Sequence, residues 1–258
     1  MHSCRKIILL LVGIFILSPQ VRAIDLPSES GAQRELILNI DWIFTDFNYD
    51  EPGVMSEEGQ FPFGLRGQAL FKFNTEFGVS IGGYGYAGNL TYNGSTFSGD
   101  PITVETEDWV REERILAHLI QNQLQLAFGV ARRTWFNDLV ISYTRTTTYT
   151  YFPAIIKVDA DQLYTSFEYR FWGVGKNVST LSDVSASRND IELTQNEGFG
   201  YAVEVGFRFP IGQFQSRVFF NYDYWKVDQS DVQFDGVDFL VEPDNNSHIY
   251  TFGAGLIF

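Results

Sequence analysis

The chain has 258 residues, a formal net charge of −14, and a large aromatic content of 24 Phe, 13 Tyr and 5 Trp. A protein this acidic repels phosphate backbones, so nucleic acid is excluded as a predicted partner. So many aromatic side chains need an apolar environment, and the pattern of the strands below indicates where they find it.

The first segment of the chain, residues 1–23, is a predicted secretory signal peptide. Arg5 and Lys6 precede an apolar run over residues 7–17, and Ala23 supplies a small residue at the cleavage site. The alternative is a membrane anchor, but this run is shorter than the roughly 20 helical residues that cross ~30 Å of hydrocarbon. We therefore expect export and cleavage after Ala23.

The predicted mature chain, residues 24–258, forms one domain. Cys4 is the only cysteine of the sequence and lies in the signal peptide, so a disulfide framework and thiol chemistry are excluded. No later apolar stretch reaches the ~18 residues that a transmembrane helix needs.

Apolar residues then recur at every second position, which is the period of β-strands. The clearest case is residues 199–209, where aromatic and aliphatic side chains alternate with small or charged ones. Ten strands are predicted, around residues 36–42, 65–73, 77–81, 115–119, 124–130, 149–155, 163–171, 199–209, 218–224 and 250–258. An even number is typical of closed bacterial barrels.

The connections between these strands alternate in length. Tight turns are predicted near residues 74–76, 120–122, 157–161 and 210–212, and longer polar links over residues 45–62, 92–101, 134–139, 173–197 and 227–246. A soluble β-sandwich gives no reason for short and long connections to alternate along the chain. The predicted fold class is therefore all-β, a transmembrane antiparallel up-and-down β-barrel of about 10 strands in a bacterial outer membrane, with short periplasmic turns and long external loops.

The alternation also predicts which face of each strand meets lipid. A narrow lumen has no room for the aromatic face, so the apolar positions are expected outside, with Tyr149 and Tyr151 among them. The charged positions then face inward, where acids and bases pair. The predicted lumen charge network comprises Arg66, Glu112, Arg114, Arg133, Glu168, Arg170, Glu204, Arg208, Arg217 and Asp223. Side chains this long are expected to fill a ten-stranded lumen.

Four tryptophans lie near the outer ends of predicted strands and suggest an aromatic girdle at the membrane interface: Trp42, Trp135, Trp172 and Trp225. The alternative interpretation is ordinary strand aromatics, because Trp favours strands in any case.

The last strand keeps its alternation to Phe258. Its lipid-facing residues Tyr250, Phe252, Leu256 and Phe258 resemble the signal read by the machinery that assembles outer-membrane barrels, and the strand is expected to close the barrel against residues 36–42. The predicted partners are outer-membrane lipid, lipopolysaccharide and this assembly machinery. No extracellular ligand is identified.

Three phrases, Gly129–Trp135, Phe167–Trp172 and Asn221–Val227, are similar to a Tyr-Arg-Tyr-Trp phrase that recurs in a family of small bacterial outer-membrane β-barrels of omptin-like and porin-like type. Residues 242–246, followed by a strand ending in Phe, resemble the same family. The resemblance covers roughly residues 34–258. It implies the barrel and says little about activity, because the shared phrases are structural.

The omptin-like resemblance raises the possibility of proteolysis by paired aspartates facing an Asp-His pair. His118 is predicted near a periplasmic turn, and the residue two before His248 is Asn246 rather than Asp. The paired-aspartate motif is missing as well, so no catalytic residue is assigned and no enzymatic activity is predicted.

Two acidic groups could bind a hard cation through oxygen ligands: Asp228, Asp231, Asp235 and Asp238, or Glu105, Glu107 and Asp108. Neither has EF-hand spacing, so a solvated acidic loop is favoured and no metal or cofactor is assigned. The leading hypothesis is a non-enzymatic barrel whose acidic external loops serve a structural, adhesive or envelope-interaction role. A small porin or channel is the alternative, and an omptin-type protease is the third.

Overall fold

The computed structural model describes residues 34–95, 99–139 and 143–258, so the predicted signal peptide lies outside the described residues. Within them the chain forms thirteen strands and one short 3₁₀ helix, Leu181–Asp183. The strands are β1 (Glu35–Glu51), β2 (Met55–Lys72), β3 (Phe77–Ser95), β4 (Pro101–Gln121), β5 (Leu124–Asp138), β6 (Thr144–Ala160), β7 (Leu163–Ser179), β8 (Ile191–Gln195), β9 (Gly198–Ile211), β10 (Phe214–Val227), β11 (Val232–Phe234), β12 (Phe239–Val241) and β13 (Asn245–Ile257). None of the described helices is long and apolar enough to cross a membrane.

Ten of these strands form a closed antiparallel barrel, which confirms the predicted fold class and strand count. Neighbours along the chain pair in order from β1 to β7, then β7 pairs with β9, β9 with β10, β10 with β13, and β13 with β1. The closing pair runs from Asn39 opposite Ile257 to Asp50 opposite Asn246, so the predicted seam between the last and first strands is confirmed. A closed sheet has no exposed edge, which is what a strand protein needs in lipid.

The remaining short strands belong to the outer loops. β8 pairs with the outer part of β7, beyond the point where β9 leaves it. β11 and β12 form a separate hairpin in the loop between β10 and β13.

The predicted tight turns are present at one end of the barrel. Asn122, Asp161 and Gly212 each have positive φ, at 54°, 52° and 60°, as tight hairpins require. The side chain of Asn74 accepts hydrogen bonds from the backbone N–H groups of Glu76 and Phe77, both at 2.8 Å. These four turns define the periplasmic end.

The predicted long links at the other end are largely strand, which corrects the sequence prediction. Residues 45–62, expected as a loop, continue β1 to Glu51 and begin β2 at Met55, leaving only a tight turn between them. Likewise, β5 extends to Asp138. The barrel wall therefore continues well beyond the ~10 residues per strand that a membrane needs.

These outer extensions were missed because their alternation is inverted. In the membrane-spanning part of β1, Trp42 faces outward and Asp41 inward, but nearer the outer end Phe47 and Tyr49 face inward and Asp46 outward. Each half therefore matches its solvent, with apolar side chains toward lipid below and toward the interior above. The prediction assumed that apolar residues face outward along the whole strand. The outer part of such a strand carries polar residues on that face and was therefore predicted as a polar loop.

The inversion also corrects the orientation predicted for β6. Tyr149 and Tyr151, expected to face lipid, are 5% and 0% exposed and face the interior. The lipid-facing residues are instead Phe152, Ile156 and Val158, all more than 40% exposed. Both faces of this strand carry apolar residues, so its sequence fits either orientation. The prediction assigned the wrong one, and a shift of one residue exchanges the two faces.

Exposed apolar side chains surround the periplasmic part of the barrel. Phe63 is 77% exposed, Ile81 62% and Phe128 56%, and most strands contribute similar residues. This lipid belt is stable only where it meets hydrocarbon, so the barrel spans a membrane.

Candidate functional site in the barrel interior

The membrane-level interior contains ion pairs that cross the lumen. Asp41 accepts from both Arg66 and Arg217, with Nε to carboxylate distances of 2.8 and 2.7 Å. Arg66 on β2 also pairs with Glu204 on β9, which lies across the lumen rather than next to it in the sheet. Two acids and two bases thus balance in one cluster.

A second cluster joins β4, β7 and β10. Arg114 donates to Glu112 at 2.8 Å and to Glu168 at 2.9 Å, and Arg170 donates to Glu168 at 2.6 Å and pairs with Asp223. These residues are mostly buried, so each charge depends on its partners for solvation.

Two members of the predicted network are placed differently. Arg208 pairs with Asp159 close to the periplasmic turns, apart from both clusters. Arg133 is 2% exposed, but within the described part of the chain it has no carboxylate partner. Its guanidinium lies 5.9 Å from the Phe47 ring and 5.4 Å from the Trp225 ring, so it belongs to an aromatic layer. The description of the lumen as uniformly charge-filled is corrected accordingly.

The periplasmic part of the lumen is hollow. A cavity of about 440 Å³ is lined by the ion clusters and, nearer the turns, by polar side chains that include His118, Gln125 and Lys157. The lining carries both signs of charge and suits water.

Above the ion clusters an aromatic layer crosses the barrel. The ring of Trp135 on β5 lies 5.2 Å from that of Phe47 on β1, and the ring of Tyr151 on β6 lies 5.0 Å from that of Trp225 on β10. These strands are not neighbours in the sheet, so the contacts span the lumen. The buried aromatic and aliphatic residues of this layer are Phe47, Tyr49, Phe61, Tyr86, Leu90, Val110, Trp135, Tyr149, Tyr151, Trp225 and Ile249.

This layer overturns most of the predicted girdle. Trp135 and Trp225 are 4% and 0% exposed and face inward, and Trp172 packs against the same layer and donates to the carbonyl of Gln195 at 3.1 Å. Only Trp42, 59% exposed, lies on the outer face as predicted. Trp109, which was not assigned to the girdle, stacks on Phe136 on the outer wall, with ring centroids 5.6 Å apart.

A cluster of four buried carboxylates lies nearer the outer end, beyond the lipid belt. Arg145 donates to Glu51 at 3.2 Å, and Glu57 and Glu242 each lie 3.6 Å from its guanidinium. Asp108 accepts from the Trp135 indole at 2.7 Å and from Asn137 at 2.9 Å, and Asn137 also donates to Glu57 at 2.8 Å. We call Glu51, Glu57, Asp108, Glu242 and Arg145 the outer carboxylate cluster.

One guanidinium cannot compensate four carboxylates, and burial makes the excess negative charge costly. Burial, followed by the neighbouring Asp108 and Glu51, raises the pKa of Glu57 to about 8 despite the nearby Arg145. Burial and Glu51 likewise raise the pKa of Glu242 to about 7, and burial raises the pKa of Asp108 above its ordinary value. Around neutral pH the cluster therefore holds protons.

Sequence reasoning missed this cluster. The available signal was weak: Glu51, Glu57 and Asp108 follow the inward phase of outer strand extensions, and that phase is visible only once the inversion is known. Glu242 comes from the loop between β10 and β13, and its position depends on tertiary folding alone.

The histidines considered for catalysis do not face this cluster. His118 is buried near the periplasmic end and its ring nitrogen lies 2.7 Å from the hydroxyl of Ser80. His248 is on the outward phase of β13, where its ring contacts Tyr222 and Tyr224.

The acidic residues considered for metal binding point in different directions or already have protein partners. Glu105 and Glu107 face outward on β4 whereas Asp108 faces inward, so these three residues share no site. In the last loop, Asp235 and Asp238 pair with Arg188, and Asp231 accepts from the backbone N–H of Thr194 at 2.6 Å.

The residues of the predicted assembly signal lie together on the lipid side of β13. Tyr250 and Phe252 are 39% and 54% exposed, and Phe258 exchanges two backbone hydrogen bonds with Leu38, of 2.9 and 3.1 Å.

No protein-family model matches the chain, and no curated protein matches it. Among solved structures, the outer membrane protease OmpT from Escherichia coli aligns with 12% identity and a TM-score of 0.53, covering 90% of this chain and 98% of that one. The toluene transporter TodX from P. putida aligns with 7% identity over 87% of this chain and 89% of its own, with a TM-score of 0.37. Ail from Yersinia pestis aligns with 10% identity over 86% and 99%, with a TM-score of 0.36.

At these identities a likeness concerns the fold, and of these three matches the one to OmpT is close enough to support it. The chain forms a closed ten-stranded barrel with a lipid belt, and it shares the fold of an outer-membrane protein. Barrels of this kind span the bacterial outer membrane. The chain is a β-barrel protein of the bacterial outer membrane.

Proposed function

We propose that this barrel is a non-enzymatic and non-conducting protein that presents a rigid external wall and acidic loops to partners outside the cell. The observation that carries the proposal is the aromatic layer, which joins opposite strands across the lumen. The barrel interior is then used for stability, and recognition is left to the outer end.

The first support is the density of this layer. Phe47, Phe61, Tyr151 and Trp225 are each 0% exposed, so water does not reach them from either side of the layer. Arg133 lies between Phe47 and Trp225 and adds cation–π contacts. The cavity below therefore meets packed rings on its outer side, unlike the open lumen of a porin.

Planar-bilayer recording tests the closed lumen against the porin alternative. We expect no steady conductance from the purified protein, and we expect Trp225→Ala combined with Tyr151→Ala to introduce it, because both rings are removed from the layer. Trp42→Ala is the matched control, since Trp42 lies on the outer face. Steady nanosiemens currents from the unaltered protein would make the chain a channel.

Lipopolysaccharide is a proposed envelope partner. Arg111 and Arg132 are exposed on the outer wall just above the lipid belt. They flank Glu113, which pairs with Arg111 at 2.7 Å and leaves one net positive charge, and Arg111 lies two residues from Trp109 on the same face of β4. Cations beside an aromatic side chain at this height suit the phosphates and acyl boundary of an outer leaflet. Arg132→Ser with Arg111→Ser is expected to reduce the lipopolysaccharide that co-purifies with the barrel, whereas Lys176→Ser higher on the wall leaves it unchanged.

The absence of enzymatic activity is also part of the proposal. It is supported by the burial of the outer carboxylate cluster, in which Glu57 is 0% and Asp108 3% exposed, and by the placement of His248 on the outward face and of His118 near the periplasmic end. Incubation with a mixed peptide library in the presence of lipopolysaccharide is expected to leave all peptides intact. Any cleavage lost in Asp108→Asn would establish the protease alternative.

A further inference from the structure

The hairpin formed by β11 and β12 exposes an apolar face to water. Val232 is 59%, Phe234 53%, Val237 46% and Phe239 77% exposed, and the two Phe rings lie 5.0 Å apart. We call these four residues the hairpin face. Exposed clusters of this kind mark interaction sites in folded proteins.

The opposite side of the hairpin is fixed to the rest of the outer end. Leu240 packs on a small core of Leu181, Ile191 and Leu193. The carboxylate of Asp235 accepts from the backbone N–H groups of Val237 and Asp238, both at 2.8 Å. The hairpin face is therefore preorganised, which lowers the entropy cost of binding.

The hairpin face does not lie in the lipid belt. It follows β10 beyond its last outward residue, the exposed Lys226, and it contacts the outer strand β8. On the wall at this level Lys176 and Glu192 form an exposed ion pair, which indicates water or headgroups rather than hydrocarbon. Its apolar residues thus face the exterior of the cell.

The charge around the hairpin face identifies what fits it. Residues 228–244 contain six acids and no lysine or arginine, and Arg188 pairs with two of these acids, Asp235 and Asp238. Four of those acids are exposed: Asp228, Asp231, Asp238 and Asp244. The phosphates of lipopolysaccharide are repelled by these carboxylates, and so is a second copy of a chain with a net charge of −14.

We propose that the hairpin face binds a cationic polypeptide segment that carries apolar side chains between its basic residues. The Phe pair receives the apolar side chains, and the surrounding aspartates steer and hold the basic ones. This proposal rests on the proposed function, in which the outer end of the barrel binds external partners, and it specifies the chemical class of one such partner.

The test uses the full barrel in nanodiscs of zwitterionic lipid and a short labelled peptide of alternating Lys and Leu, followed by fluorescence anisotropy. We expect saturable binding that weakens as salt is raised. Phe234→Ser with Phe239→Ser should weaken it at least about tenfold, and Asp228→Asn with Asp244→Asn should reduce its salt dependence. Both pairs are exposed, and retained heat-modifiable gel migration verifies their folding.

The matched control is Val54→Ser, a 51% exposed apolar residue in the turn between β1 and β2, which should leave binding unchanged. Equal binding of an alternating Glu and Leu peptide, or unchanged binding in the Phe variant, would overturn the proposal. So would Phe-dependent binding to lipopolysaccharide vesicles or Phe-dependent dimerisation, which would assign the face to lipid or to a second copy. The conductance recording tests separately whether the lumen is closed. A failure of the peptide-binding proposal can therefore be distinguished from a failure of the proposed function.

Discussion

At the scale of single residues, the outer carboxylate cluster shows how burial changes the chemistry of an ordinary side chain. Glu57 and Glu58 are adjacent, yet Glu57 is buried among carboxylates and Glu58 faces water. The cause is the strand period of two, which sends neighbours to opposite faces of the wall.

The pKa of Glu57 determines the sign of a pH effect on stability. Its pKa is raised to about 8 in the folded protein, against 4.5 ordinarily, so the folded state holds a proton that the unfolded state has lost. The free energy of unfolding therefore falls as pH rises from about 4.5 to about 8 and levels off above it. Glu242, with a pKa raised to about 7, acts in the same direction.

We expect Glu57→Gln to stabilise the barrel at pH 8 by about 1–2 kcal/mol and to flatten this pH dependence. Glutamine keeps the hydrogen bond from Asn137 without a charge. Urea unfolding in detergent at several pH values measures the effect, with Glu58→Gln as control. Parallel pH profiles for Glu57→Gln and the unaltered protein would contradict the assignment.

Arg170 allows a second prediction at this scale. It is 2% exposed and solvates Glu168 and Asp223, so Arg170→Met leaves the buried Asp223 without a base and leaves Glu168 with Arg114 alone. We expect a loss of about 3–5 kcal/mol in the free energy of unfolding.

Arg132→Met is the matched control for Arg170→Met, because Arg132 faces outward and is exposed. It should change the free energy of unfolding by no more than about 0.5 kcal/mol. Equal effects of the two substitutions would mean that the lumen ion pairs do not stabilise the barrel.

At the scale of elements, the decisive feature is the reversal of alternation within one strand. The lower part of every barrel strand except β6 was read correctly, because its apolar residues face lipid in long regular runs. The upper part places aromatic residues inside and polar ones outside, so Trp135, Trp172 and Trp225 were assigned to the wrong face. A period of two identifies a strand, but it does not show whether the apolar face points toward the interior or toward the exterior of the barrel.

The seam between β1 and β13 gives a prediction at this scale. Deleting Phe258 removes two backbone hydrogen bonds to Leu38 and a ring contact with Phe214, whose centroid lies 5.4 Å away. Each hydrogen bond contributes about 0.5–1.5 kcal/mol, and their loss opens the closing pair. We expect the deletion to lower the yield of folded barrel more than Phe258→Ala does, as measured by heat-modifiable gel migration.

Phe214→Ala is the control for this seam prediction, since it removes the same ring contact and leaves the seam hydrogen bonds in place. If Phe214→Ala, Phe258→Ala and the deletion lower the yield equally, the ring contact matters and the seam hydrogen bonds do not.

At the scale of the whole molecule, the barrel is built for two solvents. Its lower part is a membrane barrel with a polar interior, and its upper part is a water-soluble barrel with an aromatic interior and a polar wall. The two parts share the same ten strands, so the upper part is held by the sheet of the lower one.

Quenching of tryptophan fluorescence by lipids with brominated acyl chains tests this division. Trp42 faces outward in the lipid belt and Trp225 is enclosed in the aromatic layer. We expect Trp42→Phe to remove most of the quenching, whereas Trp225→Phe leaves the quenched amplitude unchanged. The opposite result would return Trp225 to the girdle.

The sequence by itself determined the strands of the membrane part, their number, the periplasmic turns and the lipid-facing residues of the last strand. These features are local, because a period of two and turn residues such as Asn122 and Gly212 act within a few positions. Most of the lumen ion pairs could be anticipated for the same reason, since charged residues in lipid-spanning strands have only the interior to face.

Only the tertiary structure decided the rest. Which face is inside above the membrane, the aromatic layer, and the meeting of Glu51, Glu57, Asp108 and Glu242 around Arg145 all depend on closure of the sheet. Closure brings together side chains from strands far apart in the chain, and their burial and pKa follow from those neighbours rather than from local sequence.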